Sequence, residues 1–380
     1  VLFSTFEGSG YSRGGYLRSV SGTDGSQIWS NTTVKLAASF SIAAADIDGD
    51  QLPEIVARSS SGYLVAFEHD GSVKWQSAGY IGDSHSSASI ADIDSDGVPE
   101  IVVGAKVFSS DGTLRWDGIT NGGIGSGTNR FGEYSVVADL DLDGVPEVLA
   151  GQTAYRADGT VYWNSTIPDG YASVANFDSE PHPEIAVVSS GNLYLLEHTG
   201  DVIWGPIPLP GTNGFGGAPL IADINGDGSL EIGVAAARQY TAFQSDGSVL
   251  WSNPVRDISG AVTGSTAFDF EGDGSTEIVY GCEDALYVFR GIDGTVILDV
   301  ARGSGTLLEM PVVDDVDADG NAEIVVAAND YCIGGFLGIL VLGDGNESWV
   351  PSRQIGEHHS YHGTKGTEVG TMATVEDCGW

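Results

Sequence analysis

The segment ADIDSDGVPEIVV at residues 91–103 is one of seven related copies spread along the chain. The others are ADIDGDQLPEIVA (45–57), ADLDLDGVPEVLA (138–150), ANFDSEPHPEIAV (175–187), ADINGDGSLEIGV (222–234), FDFEGDGSTEIVY (268–280) and DDVDADGNAEIVV (314–326). Their first polar positions lie at 46, 92, 139, 176, 223, 269 and 315, so five of the six intervals are 46 or 47 residues and one is 37. A chain of 380 residues is too long for one ordinary compact core, and this regular spacing requires a repeat architecture.

A second motif keeps step with the first. DGSQIW, DGSVKW, DGTLRW, DGTVYW, GDVIW, DGSVLW, DGTVIL and DGNESW begin at 24, 70, 111, 158, 200, 246, 293 and 344. Asp-Gly between short alternating segments signals a tight hairpin, because the turn needs positive φ that Gly supplies without strain. The 55 glycines, about twice average usage, agree with many tight turns. Each unit therefore reads as strand A, acidic loop, strand B, strand C, DG turn and strand D. Four antiparallel strands per repeat make an all-β chain, a β-propeller of seven four-stranded repeats over a single domain, 1–380. The recurring Trp falls on strand D, where packing between blades is the expected role. Residues 1–30 read as strands C and D alone, with strands A and B supplied by 351–380. The ring then has eight blades if the two segments complete one, and seven if they are appendages.

The acidic loops carry the clearest chemistry. In 92–100, Asp92, Asp94 and Asp96 occupy positions 1, 3 and 5, Gly97 permits the bend, Val98 can offer its carbonyl, and Glu100 at position 9 can close the site with both oxygens. This is the ligand logic of an EF-hand loop compressed to nine residues. Hard oxygen ligands without His or Cys favour Ca²⁺ over zinc or copper. The corresponding sets are Asp46, Asp48, Asp50 and Glu54; Asp139, Asp141, Asp143 and Glu147; Asn176, Asp178, Glu180 and Glu184; Asp223, Asn225, Asp227 and Glu231; Asp269, Glu271, Asp273 and Glu277; and Asp315, Asp317, Asp319 and Glu323. Up to seven structural calcium ions are expected. The fourth loop is the poorest copy, since it lacks the Gly and carries two prolines. The loops hold about half of the 53 acidic residues, and seven divalent ions would bring the formal charge from −38 to about −24.

The repeat D-x-D-x-D-G-x-x-E-I-V resembles the FG-GAP/VCBS repeats of integrin α-subunit propellers, of propeller lectins and of the propeller in rhamnogalacturonan lyases. The resemblance covers roughly residues 40–350 and implies a calcium-stabilised propeller in a secreted, extracellular or cell-surface setting, with ligands on the face opposite the metal loops. SWVPSRQIGEHHSYH likewise resembles a closing segment of bacterial extracellular proteins of this type.

The remaining features bound the function. A formal charge of −38 argues against binding nucleic acid through its phosphates. No apolar run approaches the ~20 residues of a membrane span, and the start VLFSTFEGSG could be the end left after processing or a fragment of a longer chain. The B–C and D–A connections carry Arg58, Lys106 and Arg238, and Arg130, Arg256 and Arg302. With Phe131 they form the candidate ligand-binding set, a local positive funnel for an anionic or hydroxyl-rich ligand, unless they are ordinary solvated side chains. Tyr80 and Phe215 are further candidates for stacking on sugar rings. Asn31, Asn164 and Asn346 stand in glycosylation sequons. Cys332 and Cys378 are candidates for a disulfide, with Cys282 left as a buried thiol. In EHHSYH (357–362), His358 and His362 could take a transition metal or exchange protons, although packing competes as a reading. No catalytic constellation is evident. The expected function is carbohydrate binding or adhesion, with a glycan or glycoprotein ligand or another extracellular protein as partner. The alternatives are a structural subunit of an extracellular assembly and a polysaccharide lyase of the rhamnogalacturonan type.

Overall fold

The computed structural model describes residues 1–6, 14–82, 85–307, 309–330, 337–346 and 348–352. These residues form 30 β-strands in eight antiparallel sheets and no helix. Each sheet is one blade of an eight-bladed β-propeller. Two compact units divide them, Val1–Asp169 with four sheets and Gly170–Gln354 with four.

The second sheet shows how one repeat folds. Ala43–Ala45 is strand A, Glu54–Arg58 strand B, Tyr63–Phe67 strand C and Val73–Tyr80 strand D, hydrogen-bonded in that order. Strand B is buried along its whole length, as are nearly all of strand C and the B strands at Glu100–Val103, Glu147–Ala150 and Glu231–Ala235. These central strands are covered on both faces, so they read as aliphatic runs rather than alternating ones. Strand D alternates and leaves Val73, Leu114 and Val249 exposed.

Within each unit the apolar layers lie between neighbouring sheets. One joins Val56, Leu64 and Ala66 to Ile90, Ile101, Val103 and Phe108; another joins Tyr240 and Trp251 to Ile278, Tyr280 and Phe289. Each such aliphatic side chain, fully buried, contributes roughly 1.5–3 kcal/mol. Hydroxyls near the A strands tie successive sheets together: Ser89 Oγ donates to Ser135 O at 2.9 Å and Ser173 Oγ to Pro219 O at 2.6 Å.

The recurring Trp has the packing role expected of it. The indole N–H of Trp75, Trp116, Trp204 and Trp251 donates to a carbonyl in the next sheet's turn, on Ser110, Ala157, Ser245 and Gly291, at 2.5–3.0 Å. The turn glycine lies directly on the ring. At Gly112, with φ of +82°, an added Cβ would come within 2.6 Å of Trp75. Asn31, Asn121 and Asn253 add amide bonds to the carbonyls of Gly71, Gly159 and Gly294.

Both chain ends depart from expectation. The first sheet has three strands, Leu2–Phe6, Gly14–Val20 and Gln27–Ser30. Its strand B therefore comes from the chain's own start, not from residues 351–380. Leu2 pairs with Ser19 and Phe3 with Arg18, and the Val1 ammonium donates to Val20 O at 2.8 Å. The last sheet also has three described strands, Val312–Asp314, Glu323–Ala328 and Gly338–Leu342. Trp349, expected on a closing strand D, instead packs on Phe270 with ring centroids 4.4 Å apart, while Val350 N–H donates to Phe270 O at 2.9 Å. Cys332, Cys378 and the histidines of EHHSYH lie outside the described residues.

Candidate metal centres

Each acidic loop connects strand A to strand B, and its backbone is wound by the carboxylates themselves. In the second loop Asp92 accepts the N–H groups of Asp96 (3.1 Å) and Gly97 (2.8 Å), and Asp96 accepts that of Val98 (2.8 Å). The loops beginning at Asp139, Asp269 and Asp315 repeat the pattern. Such winding requires positive φ at position 6, where Gly was expected, and also at position 4. Ser95 (58°), Leu142 (58°) and Ala318 (63°) adopt it there without being glycine. Each costs about 1 kcal/mol or more, offset by the bonds to position 1. In the first loop the roles shift, with Gly49 at position 4 and Gln51 taking the left-handed conformation at position 6.

The closing glutamate also braces the loop backbone. In all seven loops one of its oxygens, Oε2, accepts the N–H of position 2: Ile47 on Glu54, Ile93 on Glu100, Leu140 on Glu147, Phe177 on Glu184, Ile224 on Glu231, Phe270 on Glu277 and Val316 on Glu323. Oε1 has a side-chain donor of its own in two loops, Arg115 on Glu100 and the Asn225 amide on Glu231. Burial pushes the carboxyls of Glu54, Glu100, Glu147 and Glu277 up to about 7, against that N–H bond and, at Glu54 and Glu100, against the charges of Lys74 and Arg115. Burial likewise raises Glu184, Glu231 and Glu323.

Carboxylate oxygens gather within 4.8 Å of one another in five loops: Asp46, Asp48 and Asp50; Asp92, Asp94 and Asp96; Asp139, Asp141 and Glu147; Asp269, Glu271 and Glu277; Asp315, Asp317 and Glu323. These clusters could hold metal ions. Three buried oxygens test the fit, because Glu54 Oε1, Asp94 Oδ1 and Asp141 Oδ1 have no hydrogen-bond partner. A hard cation supplies what such oxygens lack. In the fifth loop the Asn225 amide donates to Glu231 Oε1 at 3.0 Å. In the fourth, Asn176 Nδ2 donates to Glu180 O and Asp178 accepts Glu180 N–H, while His182 stacks on His198 with centroids 4.1 Å apart.

The sequence reading missed the cations that enter the first three loops. Lys74 Nζ lies 2.5 Å from Asp48 and 3.7 Å from Glu54; Arg115 is 2.6 Å from Asp94 and 2.5 Å from Glu100; Arg156 is 3.6 Å from Asp141 and 3.8 Å from Glu147. The signal was present in DGSVKW and DGTLRW, where the residue before Trp sits on the opposite face of strand D.

At the other end of the sheets, the candidate ligand residues separate. Arg58 is buried and donates to the carbonyls of Ile81 (3.3 Å) and Gly82 (3.0 Å). Arg302, also buried, donates to Cys282 O at 3.2 Å, to Ala327 O and to Glu309 at 3.0 Å. Both hold loops in place rather than face a ligand, because inward-turned carbonyls there need donors. Arg256 is pinned by Glu283 at 2.9 Å, and Lys106 lies 3.8 Å from Asp117. Arg238 is exposed. In Val1–Asp169 the exposed Arg130 lies over the Phe131 ring (4.8 Å), which packs beside His85 (5.5 Å). Tyr80 is exposed, edge-on to Tyr63.

Two carboxylates at this end are saturated instead. Asp169 accepts backbone N–H groups from Ser126, Gly127, Thr128 and Gln152. Asp257, fully buried, accepts from Ala261 N–H (3.1 Å), the Tyr280 hydroxyl (3.0 Å) and the Thr306 hydroxyl. Of the sequon residues, Asn164 and Asn346 are exposed. Asn31 is buried and spends its amide nitrogen on Gly71 O, so it is a structural amide and not a glycan acceptor. Cys282 is buried and free, with its thiol pushed up to about 11 by burial.

Comparison with known proteins fits this geometry. Residues 46–103, which contain the first two acidic loops, match the FG-GAP-like repeat family. The crystal structure of the V. cholerae biofilm matrix protein Bap1 superposes with a TM-score of 0.82 at 22% identity, covering 98% of this chain and 89% of that one. The Bacillus licheniformis rhamnogalacturonan lyase PL11 gives 0.58 at 19% identity over 93% of this chain and 69% of that one. The exotype rhamnogalacturonan lyase YesX gives 0.58 at 18% identity over 85% of this chain and 65% of that one. A comparison with curated protein sequences finds no match. The chain is an eight-bladed, all-β propeller that carries FG-GAP-like repeats, similar in fold to a biofilm matrix protein and to rhamnogalacturonan lyases.

Proposed function

We propose that this chain is an extracellular, calcium-stabilised propeller that binds carbohydrate as part of a matrix or adhesive assembly. The carrying observation is the set of acidic loops whose buried oxygens lack partners. Millimolar calcium outside cells would fill even weak sites of this kind. The Bap1 likeness, spanning nearly the whole chain, supports the matrix setting. Glu54, Glu100, Glu147, Glu277 and Glu323, with the aspartates before them, would hold the ions, which supply positive charge that pins strand A to strand B. Arg130 and Phe131 are the favoured sugar contacts in Val1–Asp169, since a cation over an aromatic face suits an acidic or hydroxyl-rich ring. Arg238 is the favoured contact in Gly170–Gln354. A glycan array run with calcium and with EDTA tests this reading. Binding that appears only with calcium supports it, and a blank array under both conditions overturns it.

The likeness to rhamnogalacturonan lyases favours a second reading, cleavage of an acidic polysaccharide. Absorbance of an unsaturated uronate product on incubation with rhamnogalacturonan would establish it. A silent assay together with a blank array would leave a rigid structural block of an extracellular assembly.

A further inference from the structure

The loops divide by what faces their third and ninth positions. In the first three, a side chain of the same sheet brings its own positive charge to the paired acids: Lys74 to Asp48 and Glu54, Arg115 to Asp94 and Glu100, Arg156 to Asp141 and Glu147. In Gly170–Gln354, among the described residues, no Lys or Arg pairs with the acids of the loops beginning at Asp223, Asp269 and Asp315. The tethered cations do not complete their loops. Glu54 is fully buried, yet its Oε1 has no hydrogen bond and lies 3.7 Å from Lys74 Nζ. That oxygen remains available to an ion that can displace the ammonium.

We propose that Lys74, Arg115 and Arg156 are tethered counter-ions that compete with calcium for the third and ninth positions of the first three loops, leaving the loops at Asp269 and Asp315 as the tight sites. The proposal rests on the calcium reading above. Two cations a few ångströms apart repel strongly in a partly buried site, so calcium must expel the side chain before it can bind. The first three loops then exchange calcium readily, and their fold outlasts its removal. Among the described residues the loops of Gly170–Gln354 have no ion-paired reserve of this kind; Arg290 lines the same cavity as Glu271 and Glu277 but pairs with Asp293.

Calcium titration of the full chain by calorimetry, with native mass spectrometry to count ions, tests this on Lys74→Gln, Arg115→Gln and Arg156→Gln. Wild type is expected to show a tight and a weak class of sites. Each substitution should move one equivalent from weak to tight, with its Kd falling about tenfold or more. Asp315→Asn should remove one tight equivalent from wild type. The three substitutions lie in different sheets and report independently, so a folding failure in one leaves two readouts. Glutamine variants whose titrations superimpose on wild type overturn the counter-ion role while leaving calcium binding intact. Absence of calcium binding in every protein overturns the calcium reading itself.

Discussion

The acids at the two ends of the sheets differ in how they are satisfied. Asp257 is enclosed by an N–H and two hydroxyls, and Asp169 by four backbone amides, so each is complete within the protein. Glu54 and Glu147 are as buried as Asp257, yet each has one backbone N–H; an oxygen of Glu147 faces Asp139 and Asp141, and Glu54 Oε1 has no hydrogen bond. Burial raises the carboxyl pKa at both ends. The lesson is that burial alone does not distinguish a structural acid from a ligand. The count of fixed donors does, because an under-supplied acid depends on a charge brought from outside.

The largest test of this contrast is metal removal. If several loops each hold an ion near saturation, EDTA should lower Tm on the order of 10 °C or more, and added calcium should restore it. An unchanged melting curve would put the loop glutamates in the same class as Asp257. A smaller effect is expected from Asp257→Ala, which strands an N–H and two hydroxyls and should cost about 3 kcal/mol. That loss should be the same with calcium and with EDTA in chemical denaturation. Dependence on calcium would mean that the two ends are coupled.

The smallest effect concerns pH in the metal-free protein. Glu54, Glu100, Glu147 and Glu277 sit near 7 when folded and near 4.5 when unfolded, so the folded state binds the extra protons. Their stabilising contribution is complete below about 4.5 and disappears as pH rises through about 7. In EDTA, Tm should therefore fall by a few degrees, roughly, between pH 5 and pH 8, and saturating calcium should remove the slope. Equal slopes in both buffers would show that the loop acids do not titrate in this way.

Much of this was legible in the sequence because turn chemistry is local. Asp-Gly followed by Trp fixes a hairpin and a strand face within six residues, and D-x-D-x-D-G-x-x-E fixes a loop within nine. What escaped depends on contacts between distant segments. Lys74 and Arg115 stand in the repeated motif, but their meeting with Asp48 and Asp94 requires strand D to lie beside the A–B loop. Arg58 and Arg302 read as exposed cations because nothing local shows that the carbonyls of Ile81 and Ala327 turn inward to meet them. The strand at Leu2–Phe6 is five residues long and carries no copy of either repeated motif, so its pairing with Gly14–Val20 was not visible.

The indole bonds from strand D to the neighbouring turn bear on how each unit comes apart. The outer strand of a sheet is normally the first to peel, since one of its edges is unpaired. Here Trp75 is seated under the Gly112 turn, and Trp251 under the Gly294 turn, so a strand cannot lift without unseating the hairpin of the next sheet. Damage within a unit is thus handed from one sheet to its neighbour, as in a row of latched shingles, and resistance to pulling or to proteolysis is set by the weakest latch rather than by the average sheet.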